Sequence, residues 1–228
     1  MVYPTPQLTD MVGLALHRVI ASNYPPLDLY EDVASPEDFE VAIEYEMITS
    51  DRATDELGRI LAIDPEDRLL GPGSTPVMAA FAYPNQYARF NTTDHGAYYA
   101  AETLKGALSE HGHHWLNNFL ADAQISESPE PMMMVREYTN QLARPIHDIR
   151  DRATYQFAFH DSDYTESQKF SAMLRENEDS NGVLYESLRL EGCLCIAAFK
   201  PAAVTSCIQG RHFQYTFKEG QVLIQQVK

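Results

Sequence analysis

The chain has 228 residues, 44% hydrophobic and 22% charged, with 17 Lys and Arg against 33 Asp and Glu for a formal net charge of −16. That is an ordinary globular composition, long enough to bury roughly 70% of the surface its unfolded form exposes without disulfide staples. Such an acidic surface repels phosphate backbones and anionic lipid headgroups, which argues against direct nucleic-acid binding and membrane association. No run approaches the roughly 18 apolar residues of a membrane span, and the opening residues have neither a basic start nor an unbroken apolar stretch. A cytoplasmic location is expected.

In chain order, the first feature is the acidic segment 28–67, whose fourteen Asp and Glu face only Arg52 and Arg59. It reads as a solvated helical face or as a surface for a basic partner. Within it, Ser35-Pro36-Glu37-Asp38 is a helix start, and Phe39, Ile43 and Met47 follow at four-residue spacing. Ile60 to Ile63 is a short strand candidate, and the GPGSTP stretch from Gly71 is a turn. Val77 to Phe81 and Ala97 to Ala101 are expected as short buried strands, the second running into Thr103 as a helix cap. Leu104, Ala107, Leu108, His111, Trp115 and Phe119 form one helical stripe. SESPEP, from Ser126 to Pro131, is an internal loop. Strands are expected at Met132 to Tyr138, Val183 to Leu188, Leu194 to Phe199, Phe213 to Phe217 and Val222 to Val227. A helix from Glu166 to about Asn177 carries Phe170, Met173 and Leu174. With no regular strand–helix alternation, the pattern predicts an α+β fold, a mixed and mostly antiparallel sheet flanked by helices.

Several chemistries lack their signatures. GPGST has no GK[ST], no GxGxxG follows a strand, and neither HExxH nor GxSxG is present. Cys193, Cys195 and Cys207 are odd in number and form no CxxC, which fits a reducing compartment; core packing is the plainer role for them, metal binding the other. His111, His113 and His114 invite a metal reading, although neighbouring helix positions diverge by about 100°. What remains is YARFNTTDHGAYYAAETLKGALSEHGHHW, from Tyr87 to Trp115. With Leu104 as zero, Glu110 falls roughly 240° round the helix, off the apolar stripe. Periodicity alone makes it a solvated carboxylate, Arg89 a surface cation, and Tyr99 a core aromatic or a site residue.

This stretch resembles the central motif of the RES-domain family, named for its Arg, Glu and Ser. An arginine in an RFN or RWN segment is followed there by a tyrosine about ten residues on and a glutamate about eleven further, as are Arg89-Phe90-Asn91, Tyr99 and Glu110. Ser187, in NGVLYESLRLEGCLCIAAFKP, corresponds to the name-giving serine, and LHRV with Arg18 resembles the family's first strand. Where short members often have two glycines before the arginine, this chain has Tyr87-Ala88. The resemblance runs from Arg18 to about Pro201, with an acidic helical insertion at 28–67, in one domain spanning 1–228.

It implies an ADP-ribosyltransferase-like fold and an enzyme that consumes NAD as substrate without a metal. Nicotinamide is released, and ADP-ribose passes to water, inorganic phosphate or a protein side chain. Glu110 would stabilise the ribosyl cation, Arg89 and Arg18 would clamp the pyrophosphate, Tyr99 would stack on nicotinamide or ribose, and Ser187 would offer a hydroxyl to phosphate or ribose. It further implies the toxin half of a toxin–antitoxin pair, held in a higher-order assembly by an Xre-like antitoxin covering the cleft. The competing expectation is a catalytically silent module that binds a basic protein through its acidic segment.

Overall fold

The computed structural model describes residues 2–22, 63–82, 88–121 and 131–227, with side chains of the helix ending at 121 described as far as 117. The helix start at Ser35, the helix through Met47, nearly all of the Ile60 strand and of the SESPEP loop lie outside the described residues. The strands are β1 (Leu8–Thr9), β2 (Ala15–Ala21), β3 (Tyr98–Ala101), β4 (Met132–Gln141), β5 (Ile146–Asp148), β6 (Gly182–Glu186), β7 (Leu194–Ala198), β8 (Ile208–Lys218) and β9 (Gln221–Val227). The helices are α1 (Thr75–Ala82), α2 (Leu104–Ala121) and α3 (Thr165–Arg175). All nine strands join one sheet in the order β1-β5-β6-β7-β3-β2-β4-β8-β9. The β5–β6 pair is parallel and the others antiparallel. The fold is α+β.

Side-chain alternation along the strands divides the core into two layers. Val19, Ala101, Val135, Cys195, Ala197, Phe213 and Tyr215 face one side, where α2 contributes Ala107, Leu108 and Trp115 and α3 contributes Phe170 and Leu174. Leu16, Tyr98, Ala100, Tyr138, Leu184, Ile196 and Ala198 face the other, covered by Val77 and Phe81 of α1. Thr103 caps α2 as expected, its Oγ1 accepting from the Gly106 amide at 3.1 Å.

One expected strand is a helix. Val77 to Phe81 lies in α1, whose first turn is set by the Ser74 carbonyl accepting from the amides of Val77 and Met78. Pro76 stands in that turn, where its missing amide costs nothing. Val77, Met78 and Ala82 are fully buried, and a short run apolar on every side carries no period to separate helix from strand. Gly73 sets the entry with φ of +77°, and a Cβ there would collide with the Cys207 carbonyl.

The ladder is interrupted at its centre. β2 shares seven rungs with β4, from Ala15↔Gln141 to Ala21↔Val135, and β3 shares four with β7. Between β2 and β3 there is the single rung His17↔Ala101. Beyond it the strands part, leaving a seam between Val19, Ile20 and Ala21 on one edge and Ala97 and Tyr99 on the other.

Candidate active site

The seam opens into a cleft of about 650 Å³, within the usual range for small-molecule sites. Arg18, Arg89, Tyr99 and Glu110 all line it, together with Asn91, His111, His114, Trp115, Tyr164, Tyr185, Arg189 and Cys195. Four of the five residues singled out by resemblance therefore share one cavity. Ser187 lies just behind it.

Each arrives on a different element. Arg89, Phe90 and Asn91 sit on a loop whose backbone is fastened by α3: Ser167 Oγ donates to the Arg89 carbonyl at 2.8 Å and Gln168 Nε2 to the Ala88 carbonyl at 3.1 Å. Arg175, at the end of α3, donates to the carbonyls of Gly96 at 2.8 Å and Phe199 at 3.1 Å, and burial draws its guanidinium down to about 10. Phe90 is fully buried and meets the Tyr185 ring edge-on at 5.4 Å between centroids. Tyr99 closes the loop from β3, accepting from the Phe90 amide at 2.9 Å and donating to Asn91 Oδ1 at 3.0 Å. Burial pushes its phenol well above the ordinary range, so Tyr99 holds the loop and presents a ring, and no proton leaves it near neutrality.

Glu110 is not the solvated carboxylate that periodicity suggests. Ser187 Oγ, in a residue only 4% exposed, donates to Glu110 Oε1 at 2.5 Å and accepts from the amides of Arg189 and Leu190 at 3.0 Å each. A fixed carboxylate at the wall of a cleft is preorganised to meet positive charge. Ser187 thus spends its donor on Glu110, and β6 ends at Glu186, short of the expected Leu188, because the chain turns there to make these bonds.

Arg18 bridges the seam. Its Nη1 donates to the Tyr99 carbonyl at 3.1 Å and its guanidinium lies 4.6 Å from the centre of the Tyr98 ring. Arg89 is 8% exposed, its Nη1 donating to the carbonyls of Ala158 at 2.9 Å and His160 at 2.7 Å, with the Tyr164 ring 4.6 Å away. With Arg189, three arginines face one carboxylate among the lining residues, so a chain of net charge −16 keeps a formally positive cleft.

The thiol of Cys195, also in the wall, is pushed far up by burial, which removes it as a nucleophile. No group of three or more His, Cys, Asp or Glu among the described residues is arranged to hold a metal. Tyr164 and Arg175 were invisible to sequence reasoning; Asn91 entered only as part of the RFN segment, with no role of its own, and Arg189 offered one signal, its place two residues after the motif serine.

The RES-domain profile matches residues 65–218, about two thirds of the chain. The chain belongs to the RES-domain family. The match takes in Arg89, Tyr99, Glu110 and Ser187, extends through β8 past Pro201, and begins in the last residues of the acidic segment, so Arg18 precedes it. No curated protein matches the chain. No helix among the described residues is long and apolar enough to cross a membrane.

Proposed function

We propose that this chain cleaves NAD at the nicotinamide–ribose bond and transfers ADP-ribose to water, phosphate or a protein side chain, as the toxin of a toxin–antitoxin pair. The observation that carries this reading is the convergence of Arg89, Tyr99 and Glu110 on one cleft, with Glu110 locked by Ser187. Its positive lining suits a pyrophosphate, and Trp115, Tyr185 and the small apolar residues along the seam suit flat rings.

In the reaction, the bond from ribose C1′ to the nicotinamide nitrogen breaks and its electron pair neutralises the pyridinium. The ribose becomes oxocarbenium-like, as in glycoside cleavage, and the Glu110 carboxylate stabilises that charge. An oxygen lone pair of the acceptor then forms the new bond to C1′, and the acceptor's proton, where it carries one, passes to Glu110 or solvent. Tyr99 and Cys195, both held protonated, stay out of the proton transfers. A cognate Xre-like antitoxin would cover the cleft and exclude NAD.

The test is to mix purified protein with NAD and follow free nicotinamide. Release by the wild type and its loss in Glu110→Gln support the reading; no release by pure, folded protein in phosphate buffer and in cell lysate overturns it and leaves the binding module.

A further inference from the structure

The three arginines of the cleft are not equally engaged. Arg18 is committed to the Tyr99 carbonyl and the Tyr98 ring, Arg89 to two carbonyls and the Tyr164 ring. Arg189 has one ion pair among the described residues, a long one: Nη1 lies 3.6 Å from Asp161 Oδ1, whose side chain is 78% exposed. Its Nε, like that of Arg18, is shut away from water with no hydrogen-bond partner among the described residues, but Arg18 already spends Nη1 on the Tyr99 carbonyl, whereas the Arg189 guanidinium makes no hydrogen bond to them. An N–H buried without an acceptor is costly, and the Nε–Nη edge of a guanidinium is the fork that takes two oxygens of one phosphate.

The backbone beneath this side chain is fixed by the hydroxyl that fixes the candidate catalytic carboxylate, since Ser187 Oγ accepts from the Arg189 amide and donates to Glu110. One serine therefore registers a cation with free donors against Glu110. The exposed Asp161 meets only Nη1, off the edge that Nε shares with Nη2, and this long, solvated pair contributes little.

We infer that Arg189 is the principal phosphate-binding residue of the cleft, taking the pyrophosphate of the dinucleotide through Nε and one Nη, while Arg18 and Arg89 brace the seam and the motif loop. This rests on the NAD reading for the identity of the ligand. The geometry itself concerns oxyanion recognition, which inorganic phosphate could also satisfy.

The experiment is calorimetric titration, which needs no turnover. The probes are ADP-ribose, which carries the pyrophosphate but no scissile nicotinamide bond, inorganic phosphate, and adenosine, which has no phosphate. Arg189→Ala should weaken ADP-ribose binding about 10- to 100-fold, the range for one charge-assisted contact, and leave adenosine unchanged. Arg189→Lys should restore only part, since an ammonium cannot fork. ADP-ribose affinity unchanged in both Arg189 variants overturns the proposal. So does loss confined to inorganic phosphate, which would make the fork an acceptor site. Should Arg189→Ala misfold by circular dichroism, Arg189→Lys decides alone, and unchanged ADP-ribose binding in it overturns the proposal. A wild type that binds ADP-ribose through Arg189 yet releases no nicotinamide from NAD would defeat the proposed function and leave this inference standing.

Discussion

Glu110 and Ser187 stand 77 residues apart in sequence, and their hydrogen bond turns a helix-surface carboxylate into a fixed one. Periodicity places Glu110 correctly, off the apolar stripe, and then misreads it, because a hydropathy pattern registers water and not a serine from a distant turn. Replacing Glu110 with Gln keeps an acceptor for Ser187, so the fold should survive while nicotinamide release falls by about 10²- to 10³-fold, as for loss of one electrostatic stabiliser. Thermal melts and nicotinamide assays on the same sample check both halves. Ser187→Ala should do the reverse in proportion: the amides of Arg189 and Leu190 lose their acceptor, costing about 1–3 kcal/mol, and Glu110 is left free to turn. A drop in urea midpoint together with a lower kcat is expected. Wild-type kcat in that variant would show that Glu110 needs no positioning.

At the scale of elements, β3, β4 and β6 to β8 were legible because their alternating faces match the two core layers, β9 from its apolar residues, and α2 and α3 because each carries a clear stripe, whereas the three-residue β5 was too short to show a pattern. α1 was misread because it is buried all round. The role of α3 was hidden for another reason: its buried serines, Ser167 and Ser171, and its final arginine look like surface chemistry, whereas Ser167 and Arg175 are fasteners for the loop carrying Arg89. Arg175→Met should therefore destabilise the protein by about 3 kcal/mol, the scale for breaking a buried hydrogen-bonded network. It should also lower catalytic efficiency, although Arg175 does not line the cleft. Denaturant unfolding and steady-state kinetics test the pair of effects. Full activity with reduced stability would uncouple the loop from the site.

For the molecule as a whole, acid acts in two stages. Burial lowers His111 from 6.5 to about 4 and also lowers His147. The unfolded chain then binds protons that the folded one refuses, and stability present above pH 6.5 is lost as pH falls toward 4. Glu137 follows. Burial pushes its carboxyl up, but hydrogen bonds from Arg211 and His17 outweigh this and hold it at about 2 against an ordinary 4.5. Its contribution is complete above 4.5 and disappears as pH falls toward 2. Gly210 belongs to this arrangement, since a Cβ there would come within 2.7 Å of Glu137 Oε2. His111→Phe should reduce the upper stage of a plot of melting temperature against pH, leaving the part that His147, His95, His113 and His114 contribute, and leave the lower stage in place. Under the toxin reading, a saturating antitoxin should abolish nicotinamide release, and full turnover in the purified complex would show that the cleft stays open.

The single rung between β2 and β3 also determines how the molecule carries load. A continuous sheet passes lateral force through every ladder bond, but here it must cross at His17↔Ala101 and the Arg18 guanidinium, like two leaves of a book held by one stitch. A dinucleotide in the seam would supply the missing stitches. Amides along the facing edges of β2 and β3 should exchange with deuterium far sooner than those between β2 and β4 in the empty protein, and slow sharply with ADP-ribose bound. Pulled across its strands, the sheet should part first between β2 and β3, at a force that rises with ligand.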